Sequence, residues 1–442
     1  MNARSVALEA LEKIDLRQAY ADLALSACFR RYPDLSARDK RQATDLVYGT
    51  VRRMNTLDWA VSLFLKVRLD RCDPPVRAAL RVGAYQLLFT DHIPTPVAVD
   101  ATLTALTKRK RRAVGLVNAV LRKIASLERQ LPYPAPETSP QDHLVLRYSH
   151  PSWIIGYMLE RLGWEETVAW CEWNNRTPVT TLRINPLRTQ VEDFGSMLEA
   201  HGVEWESGHY CEEAVRVRRG GRVEEFPGYH KGLFQVQDEA SMLVGRLVDP
   251  QPGERVLDMC AAPGGKSTHL AELMGDSGSV LAVDIHAKRV GLVRESARRL
   301  GLEAITTRVG DARGLEQAHE GFDRVLLDAP CSGLGVLAKR PDARWRRQPE
   351  DIVALVALQR ELIRGAADYL RPGGVLVYSV CTLTDEEGTG IIDEFLRENP
   401  AFTPAAELPL PGGLEGENGR ITIWPQRHSI DGFFMARLHK SR

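Results

Sequence analysis

The sequence predicts a multidomain protein in which an all-α domain and a small α+β module precede a doubly wound α/β domain. Residues 1–130 carry apolar residues at helical spacing and show no alternating strand pattern. Residues 145–236 mix short strand-like stretches with helices. From 237 to 442, strand-like and helical stretches alternate, which is typical of a mainly parallel sheet covered on both faces by helices.

The first domain is predicted from apolar periodicity and from helix-start signals. Ser36 stands where a helix cap is expected, and Pro74 and Pro75 suit the first turn of another helix. The predicted helices cover Asn2–Ala27, the stretch after Ser36 to Leu65, the stretch from Pro74 through Leu88, Val97–Ala105 and Ala113–Ala125. Residues 131–144 follow as a linker, because Leu131–Pro140 holds four prolines in ten residues and should be stiff and extended.

The two later parts are predicted in the same way. In the module, one helix is expected to start within His150–Trp153 and to run through Leu159. Further helices are expected over Glu165–Asn174 and Val191–Ala200, and strands over Thr180–Asn185, Ala214–Arg218 and Leu233–Val236. In the last domain, Gln237–Ser241 is expected to cap a helix. The strands of that domain are expected near 255–259, 280–284, 304–309, 323–328 and 374–380, with a final pair near 421–424 and 433–438.

Composition excludes several classes of protein. The 442 residues contain no run of 18 apolar residues, so no membrane span is expected. Met1–Ala10 lacks the apolar core of a signal peptide. The seven cysteines are odd in number and form no C-x-x-C pair, so neither a disulfide framework nor a metal site is predicted. We expect a cytoplasmic, monomeric protein with reduced thiols.

The net charge of zero hides an asymmetry along the chain. Residues 1–150 hold 24 Lys and Arg against 15 Asp and Glu, whereas residues 151–442 hold 34 against 43. A basic first part suggests contact with a polyanion. The most concentrated cations are five consecutive residues between two predicted helices: Lys108, Arg109, Lys110, Arg111 and Arg112. They are predicted to contact RNA phosphates, the alternative being an ordinary solvated surface.

A strand, a Gly-rich turn and a helix open the α/β domain, over Arg255–Met259, Ala261–Gly265 and Lys266–Met274. Ligands bind at the carboxyl ends of the strands in such sheets. The turn is neither a G-x-G-x-x-G fingerprint nor a Walker loop. The next strand ends in Asp284, which suits a ribose diol, so a nucleoside ligand such as S-adenosylmethionine fits better than NAD or ATP. The alternative role for Asp284 is a helix cap.

Three motifs in this domain resemble the signature motifs of RNA cytosine-C5 methyltransferases. They are Cys-Ala-Ala-Pro-Gly-Gly-Lys from Cys260, Asp-Ala-Pro-Cys-Ser-Gly from Asp328 and Tyr-Ser-Val-Cys-Thr-Leu from Tyr378. In the first domain, Asp45–Arg53 and Val117–Arg122 resemble the NusB-type RNA-binding domain. The combination resembles the bacterial RsmB (Sun, Fmu) family, which implies a Rossmann-like methyltransferase domain, S-adenosylmethionine as cofactor and a cytosine of 16S ribosomal RNA as substrate. In that family the module at 145–236 also contacts RNA.

The resemblance also implies roles for single residues. The expected cofactor-binding residues are Cys260, Ala261, Ala262, Pro263, Gly264, Gly265, Lys266, Asp284, Asp311 and Asp328. The expected catalytic residues are Cys381, Cys331, Asp328 and Lys266. In the RNA branch Cys381 is the nucleophile that adds to cytosine C6, Cys331 assists product release and Asp328 hydrogen-bonds the base. The spacing of the motifs does not decide which cysteine attacks, because the DNA cytosine methyltransferases use the cysteine of the Pro-Cys pair, which is Cys331 in this sequence. Lys266 lowers a thiol pKa or orients the base, unless it is merely a solvated lysine.

Two features of the sequence leave alternatives to these roles open. Val380 and Gly388 stand where the family more often has Thr and Asn, which affects the positioning of Cys381. The basic, Trp-containing stretch Lys339–Arg347 lies on an expected rim loop, where Arg340 and Arg344 are predicted to contact RNA. A tRNA methyltransferase and a non-catalytic RNA-binding scaffold are the rival interpretations.

Overall fold

The protein is described by a computed structural model that covers residues 1–17, 19–219, 223–315 and 321–442. The chain forms two compact units. The helical unit comprises Met1–Arg176 and Leu337–Arg346, and the sheet unit comprises Thr177–Val336 and Arg347–Arg442. The chain therefore leaves the sheet unit for one ten-residue segment and returns to it.

The first 176 residues of the helical unit contain helices, and those within residues 1–131 surround a continuous apolar core. The helices are α1 (Ala3–Arg17), α2 (Ala21–Arg31), α3 (Ala37–Arg52), α4 (Met54–Ser62), α5 (Pro74–Phe89), α6 (Thr95–Lys110), α7 (Val114–Ala125), α8 (Pro140–Tyr148) and α9 (Ser152–Asn174). Helix α5 is central and packs against α1, α3, α4, α6 and α7. Gly83 permits this packing, since a Cβ there would lie 2.5 Å from Leu121 Cδ1.

The predicted single helix from Ser36 to Leu65 is wrong, because α3 ends at Arg52 and α4 starts at Met54. Tertiary hydrogen bonds replace the helical ones at this break. Trp345 Nε1 donates to the carbonyl of Val51 at 2.7 Å, and the amide of Asn55 donates to Ser149 Oγ at 3.0 Å. The helix breaks where distant side chains satisfy its backbone groups.

Two predictions for the following helices are confirmed. Helix α9 is interrupted at Gly163, whose φ of 73° is left-handed, so it comprises the two helices that were expected. The start of α5 at Pro74 is also as predicted, because a proline in the first turn removes an N–H that has no helical partner.

The sheet unit starts with a four-stranded antiparallel sheet in the order β2–β3–β1–β4. Its elements are β1 (Thr180–Ile184), α10 (Val191–Ala200), β2 (Glu204–Ser207), β3 (Ala214–Arg219) and β4 (Phe234–Val236). Leu182, Ile184, Phe194 and Phe234 form its core. Strand β2 was not predicted, because its four residues are partly or fully exposed and lack an apolar alternation.

The larger sheet has the order β10–β12–β9–β8–β5–β6–β7, with β11 pairing β12. Strands β5 to β9 are parallel and β10, β11 and β12 are antiparallel. The elements that follow β4 along the chain are α11 (Glu239–Val248), β5 (Arg255–Asp258), α12 (Gly265–Leu273), β6 (Ser279–Asp284), α13 (Ala287–Leu300), β7 (Ile305–Val309), β8 (Phe322–Asp328), α14 (Ala343–Arg346), α15 (Pro349–Tyr369), β9 (Leu370–Val380), α16 (Thr389–Glu398), β10 (Phe402–Pro404), β11 (Arg420–Ile423), α17 (Pro425–His428) and β12 (Phe433–Lys440). Of these, α14 lies in the ten-residue segment that belongs to the helical unit. This architecture confirms the predicted fold class.

Two kinds of feature are missing from the described residues. None of their helices combines the length and the apolar composition needed to cross a membrane. No group of three or more His, Cys, Asp or Glu side chains within those ranges is arranged to hold a metal ion.

Candidate active site

The Gly-rich turn lies at the carboxyl end of β5, in the middle of the larger sheet. Its backbone turns sharply through a cis Ala262–Pro263 peptide bond and through Gly264, whose φ is 105°. A Cβ on Gly264 would lie 2.9 Å from the Cα of Val293, so the neighbouring helix α13 leaves room for glycine alone. The turn thus places the N-terminus of α12 next to the carboxyl end of β5.

A cavity of about 160 Å³ lies against this turn. Seven residues predicted to bind the cofactor line it, namely Cys260, Ala261, Ala262, Pro263, Gly265, Lys266 and Asp328. Gln237, Asp238 and Ser241 line the other side. Asp238 caps α11 by accepting a hydrogen bond from the amide of Ala240 at 3.0 Å, which confirms the predicted cap.

Asp258 is a cavity residue that the sequence interpretation missed. One carboxylate oxygen accepts a hydrogen bond from Ser267 Oγ at 2.6 Å, and the other, Oδ1, is buried without a partner in the described structure. Burial raises the pKa of Asp258 to about 7, and the charge of Asp328 adds to this effect. An unsatisfied buried acceptor suits a ligand with a hydrogen-bond donor or a positive charge, and S-adenosylmethionine carries both.

Asp284 and Asp311 follow the next two strands. Asp284 is buried at the end of β6, where Oδ1 accepts from the amide of His286 at 2.9 Å and Oδ2 lies 3.4 Å from Arg289 Nη1. Asp311 follows β7 and pairs with Arg313 at 2.6 Å. The Arg313 guanidinium lowers the pKa of Asp311. Both carboxylates are therefore held in place by local bonds.

Asp328 ends β8 and links two other predicted site elements. Its Oδ2 lies 2.8 Å from Lys266 Nζ, and its Oδ1 accepts from Ser379 Oγ at 2.8 Å. The Lys266 side chain is 13% exposed, and Nζ lies 5.2 Å from the centre of the Phe433 ring. Burial by itself lowers the pKa of Lys266, but the Asp328 carboxylate outweighs this and the net direction is upward. Lys266 is therefore a paired ammonium, which does not fit the alternative of a solvated lysine.

The two candidate cysteines meet at the ends of neighbouring strands. Asp328 of β8 is in register with Ser379 of β9, so the residues that follow each strand start from the same edge. Cys331 Sγ and Cys381 Sγ lie 3.3 Å apart and are not bonded as a disulfide. The hydrogen bond to Cys381 and burial both raise the pKa of the Cys331 thiol well above its usual value. The two thiols therefore lie in direct contact at this edge of the sheet.

Glu387 connects the two cysteine loops and was not predicted as a site residue. It is fully buried, and its carboxylate accepts from the amide of Ser332 at 2.8 Å, from Ser332 Oγ and from Thr384 Oγ1 at 2.8 Å. Gln359 Nε2 of α15 donates to the same carboxylate at 3.1 Å and to the carbonyl of Pro330 at 2.8 Å. A single carboxylate therefore fixes the loop after β8 relative to the loop after β9.

The other five cysteines have no comparable arrangement. Burial raises the pKa of Cys28, Cys72, Cys171, Cys211 and Cys260, which keeps them as unreactive thiols. Cys260 lies in the cavity wall beside the other residues of the Gly-rich turn.

Arg183, which lies in β1 of the four-stranded sheet, forms hydrogen bonds with the first turn of α12. Its guanidinium is completely buried and forms two bonds with Glu272, at 2.8 and 2.9 Å. It also donates to the carbonyl of Gly265 at 2.7 Å, to Thr268 Oγ1 at 3.0 Å and to Gln237 Oε1. The antiparallel sheet thereby contributes a side chain that supports the cofactor turn, a role with no motif signal in the sequence.

The predicted RNA-binding residues have different environments. Lys108, Arg111 and Arg112 are exposed, whereas Arg109 pairs with Glu12 at 2.7 Å and Lys110 with Asp73 at 2.7 Å. Two of the five adjacent cations are thus already compensated within the helical unit.

Arg340 is exposed, but the prediction for Arg344 needs correction. Arg344 is fully buried in the helical unit, and its guanidinium donates to the carbonyls of Ser149 at 2.9 Å and Asn174 at 3.1 Å. Burial, reinforced by nearby Arg52, lowers the pKa of Arg344 well below its usual value. Its donors are engaged by backbone carbonyls, so this side chain does not contact RNA phosphate in the observed arrangement.

Comparison with known proteins identifies relatives along the whole chain. A family model described as "16S rRNA methyltransferase RsmB/F" matches residues 246–439, a "NusB family" model matches 1–126, and a "Methyltr_RsmF/B-like, ferredoxin-like domain" model matches 150–224. A "Probable ribosomal RNA small subunit methyltransferase B" of Bacillus subtilis is 36% identical, with 99% of each chain covered. A "Ribosomal RNA small subunit methyltransferase B" of Klebsiella pneumoniae is 34% identical, over 100% of this chain and 99% of its own.

Solved structures support the fold and the cofactor. The crystal structure of PH0851 superposes with a TM-score of 0.83 at 30% identity, covering 100% of this chain and 99% of that one. NSun6 from Pyrococcus horikoshii, crystallised with SFG, gives a TM-score of 0.58 at 25% identity over 65% of this chain and 97% of its own. The protein therefore belongs to the ribosomal RNA small subunit methyltransferase B family of S-adenosylmethionine-dependent 16S rRNA methyltransferases.

Proposed function

We propose that the protein methylates C5 of a cytosine in 16S ribosomal RNA through a covalent adduct between Cys381 and C6. The observation that supports this most strongly is the pair of thiols 3.3 Å apart at the edge where β8 and β9 end. A one-thiol mechanism does not require two cysteines at this edge. Cytosine C5 is a poor nucleophile, and an enzyme thiolate that adds to C6 converts the ring into an enamine.

The electron flow assigns one task to each group. The Cys381 thiolate forms the S–C6 bond, and the displaced π electrons make C5 nucleophilic. The cofactor, when bound, supplies an electrophilic methyl group to C5. Loss of the C5 proton to a base then restores the C5–C6 double bond as the S–C6 bond breaks and Cys381 leaves as a thiolate. Atoms and charge balance without a metal or a redox partner.

The roles of the two cysteines rest on the family resemblance and on the close contact between the two thiols. The contact of 3.3 Å between the two sulfurs allows one cysteine to remain a thiol while the other is a thiolate, and the family resemblance gives the thiolate to Cys381. We assign nucleophilic attack to Cys381. Cys331 assists collapse of the adduct and release of the product.

Asp328 and Lys266 are proposed to orient and polarise the base. The carboxylate of Asp328 lies between Lys266 and Ser379, so its position at the strand edge is fixed before substrate arrives. A cytosine ring edge whose N–H donates a hydrogen bond to this carboxylate would be held in place for attack at C6. The ammonium of Lys266 stabilises a neighbouring thiolate by its charge.

Asp284 and Asp311 are proposed to hold the nucleoside part of the cofactor, with the turn from Cys260 to Gly265 beneath it. Asp284 is buried and oriented by the amide of His286, which suits a ribose diol. Asp284→Ala should weaken S-adenosylmethionine binding by about 1–3 kcal/mol, as for a lost hydrogen bond to a charged group. Calorimetry that finds the same affinity in a folded variant would reject this role.

The domain assignment completes the proposal. Residues 1–130 are proposed as the NusB-like RNA-binding domain, 131–144 as a linker, 145–236 as a second RNA-contacting module and 237–442 as the methyltransferase domain. The whole protein is proposed to act as a monomer in the cytoplasm. Support comes from the NusB and ferredoxin-like matches.

Nucleoside analysis tests the reaction directly. Ribosomal RNA from a strain that lacks the protein should miss one 5-methylcytidine from the small subunit, and the purified protein should restore it. A missing 5-methylcytidine in tRNA, with unaltered ribosomal RNA, would identify the rival substrate. A protein that binds S-adenosylmethionine but methylates neither RNA would contradict the proposed reaction.

A further inference from the structure

A second cavity lies within the helical unit. Its volume is about 660 Å³, within the range typical of small-molecule and cofactor sites. It is formed where the end of α3, the end of α5, the segment after α7 and the ends of α8 and α9 converge. No residue of the proposed catalytic set contributes to its wall.

Four arginines line this cavity, and one acidic residue, Glu172, stands against them. Arg129 pairs with Asp91 and donates to the carbonyl of Thr90 at 2.7 Å. Among the described residues, no carboxylate forms an ion pair with Arg53, Arg147 or Arg176. The wall therefore carries four cations and one carboxylate, and this excess of positive charge favours an anionic ligand.

Arg53 is the most informative of the four. It is the residue between α3 and α4, and its guanidinium lies 4.7 Å from the centre of the Phe89 ring. Burial lowers the pKa of Arg53, and the neighbouring charge of Arg52 lowers it further. A half-buried cation without an anion is destabilised, so a phosphate that entered the cavity would relieve this cost.

Aromatic rings form the rest of the cavity wall, and contacts with neighbouring side chains fix their orientation. Tyr133 stacks on Trp59 with ring centres 5.3 Å apart, and Phe89 stacks on Tyr85 at 6.1 Å. Tyr148 lies beside Arg147, whose guanidinium is 5.7 Å from the ring centre. Fixed rings beside guanidinium groups are the arrangement that binds single-stranded nucleic acid, because bases stack on the rings and phosphates pair with the cations.

The backbone at the cavity wall also has an unusual conformation. Glu128 and Arg129 have φ values of 48° and 68°, which non-glycine residues rarely adopt. Such conformations are found where surrounding contacts hold them, and they cluster at ligand-binding sites. Here the bonds of Arg129 to Asp91 and Thr90 hold the turn that leads to Tyr133.

We propose that this cavity binds an unpaired nucleotide of the RNA substrate, with its phosphate at Arg53, Arg147 and Arg176 and its base stacked on Tyr148 or Tyr133. The inference rests on the proposed function in that the ligand is RNA. The site is distinct from the basic residues 108–112 and from the cytosine that is methylated. It would anchor the RNA strand while a different nucleotide reacts.

The test measures binding of a fluorescent oligouridylate and of a small-subunit ribosomal RNA transcript over a series of salt concentrations. Arg147→Gln with Arg176→Gln should lower the affinity and reduce the slope of log K against log salt by roughly 0.7 for each single-strand phosphate that the variant no longer neutralises. Tyr148→Leu should lower the affinity to a similar extent at every salt concentration, leaving the slope unchanged. Arg53→Gln should combine a smaller slope with lower affinity.

Controls separate the cavity from general charge and folding effects. Arg38→Gln removes an exposed cation of α3 outside the cavity wall and should alter RNA binding much less than the double variant. Each variant should keep its melting temperature and its affinity for S-adenosylmethionine. If Arg53→Gln unfolds, the double variant of the exposed residues Arg147 and Arg176 and the Tyr148→Leu variant still test whether the cavity binds RNA.

Each outcome has a separate meaning. Folded Arg147→Gln, Arg176→Gln and Tyr148→Leu variants that bind RNA like the parent would overturn the cavity proposal. Displacement of RNA by decaglutamate together with normal binding in Tyr148→Leu would also overturn it, in favour of an acidic protein partner. If the unsubstituted protein does not bind RNA, the proposed function is rejected. If the protein binds RNA but methylates a position other than cytosine C5, the binding results for the cavity still stand.

Discussion

At the scale of single residues, the candidate active site is a set of side chains that hold one another. Asp328 fixes Lys266 and Ser379, and Glu387 fixes the loops that carry the two thiols. A displacement of about 1 Å in such a site can lower a rate roughly 10²-fold. The reacting residues and the residues that position them are therefore expected to respond differently to substitution.

The two cysteines should differ in the species that accumulates. Cys381→Ala should abolish methylation and form no covalent RNA, because the attacking thiolate is missing. Cys331→Ala should still attack and transfer the methyl group, but release would stall and a protein–RNA species should persist on a denaturing gel. The reverse pattern would exchange the two roles. Absence of an adduct in both variants, with full activity in one of them, would make that cysteine structural.

Glu387 should act as a positioning residue for this pair. In Glu387→Gln an amide NH₂ replaces an acceptor that faces the donors of Ser332, Thr384 and Gln359, so the loops should shift. Single-turnover methylation should slow by roughly 10²-fold, while S-adenosylmethionine affinity and RNA affinity stay the same. The adjacent Glu386→Gln, at an exposed site, is the matched control. Equal rates in both variants would show that the carboxylate at 387 does not position the thiols.

At the scale of elements, the site depends on where strands end. Strands β5, β6, β7, β8 and β9 are parallel and adjacent, so the residues that follow them share one edge. The antiparallel strand β1 belongs to the other sheet, yet its Arg183 reaches the first turn of α12. The small sheet and the cofactor turn are thus joined by a buried, multiply bonded ion pair.

Breaking this ion pair should be more harmful than removing it entirely. Arg183→Met leaves the Glu272 carboxylate buried without its partner, which should reduce the free energy of unfolding by about 3–5 kcal/mol. The double variant Arg183→Met with Glu272→Met should regain part of this loss, since no unpaired charge remains buried. Denaturant unfolding of the parent, both single variants and the double variant provides the cycle. A double variant whose loss equals the sum of the single losses would show that the two charges are not coupled.

At the scale of the whole molecule, charge is divided between the first third of the chain and the remainder. Residues 1–150 are net basic, although the chain is neutral overall. Part of this basic charge is balanced locally, since Glu12 and Asp73 pair with Arg109 and Lys110. The cations that remain exposed at the end of α6 and after it are Lys108, Arg111 and Arg112.

Neutralising these three exposed cations should weaken RNA binding and flatten its salt dependence. With Lys108, Arg111 and Arg112 changed to Gln, the slope of log K against log salt should fall by at most roughly 0.7–0.9 per residue. Stability should change little, because surface charges contribute about 0–1 kcal/mol. Arg38→Gln with Arg41→Gln, at two exposed positions of α3, is the comparison for a general loss of surface charge. A salt slope equal to that of the parent would mean that the basic run is only a solvated surface.

The sequence alone determined the three-part architecture, the cofactor turn and the two thiols, because each depends on a local pattern. Helical and strand periods lie within ten or twenty consecutive residues, and the motifs at Cys260, Asp328 and Tyr378 are short and contiguous. The break at Arg53 was missed because the groups that end α3 include Trp345, which lies 294 residues from Val51. Strand β2 was missed because its four residues carry no apolar alternation.

Only the tertiary structure decided which polar side chains meet. Glu387 lies 55 residues from Ser332, and Arg183 lies 89 residues from Glu272, so no periodicity connects either pair. Arg344 has the residue type and neighbours of a phosphate ligand, yet folding places its guanidinium against backbone carbonyls. Whether a buried polar group is satisfied is a property of three-dimensional packing, because its partners come from segments that are distant in the chain.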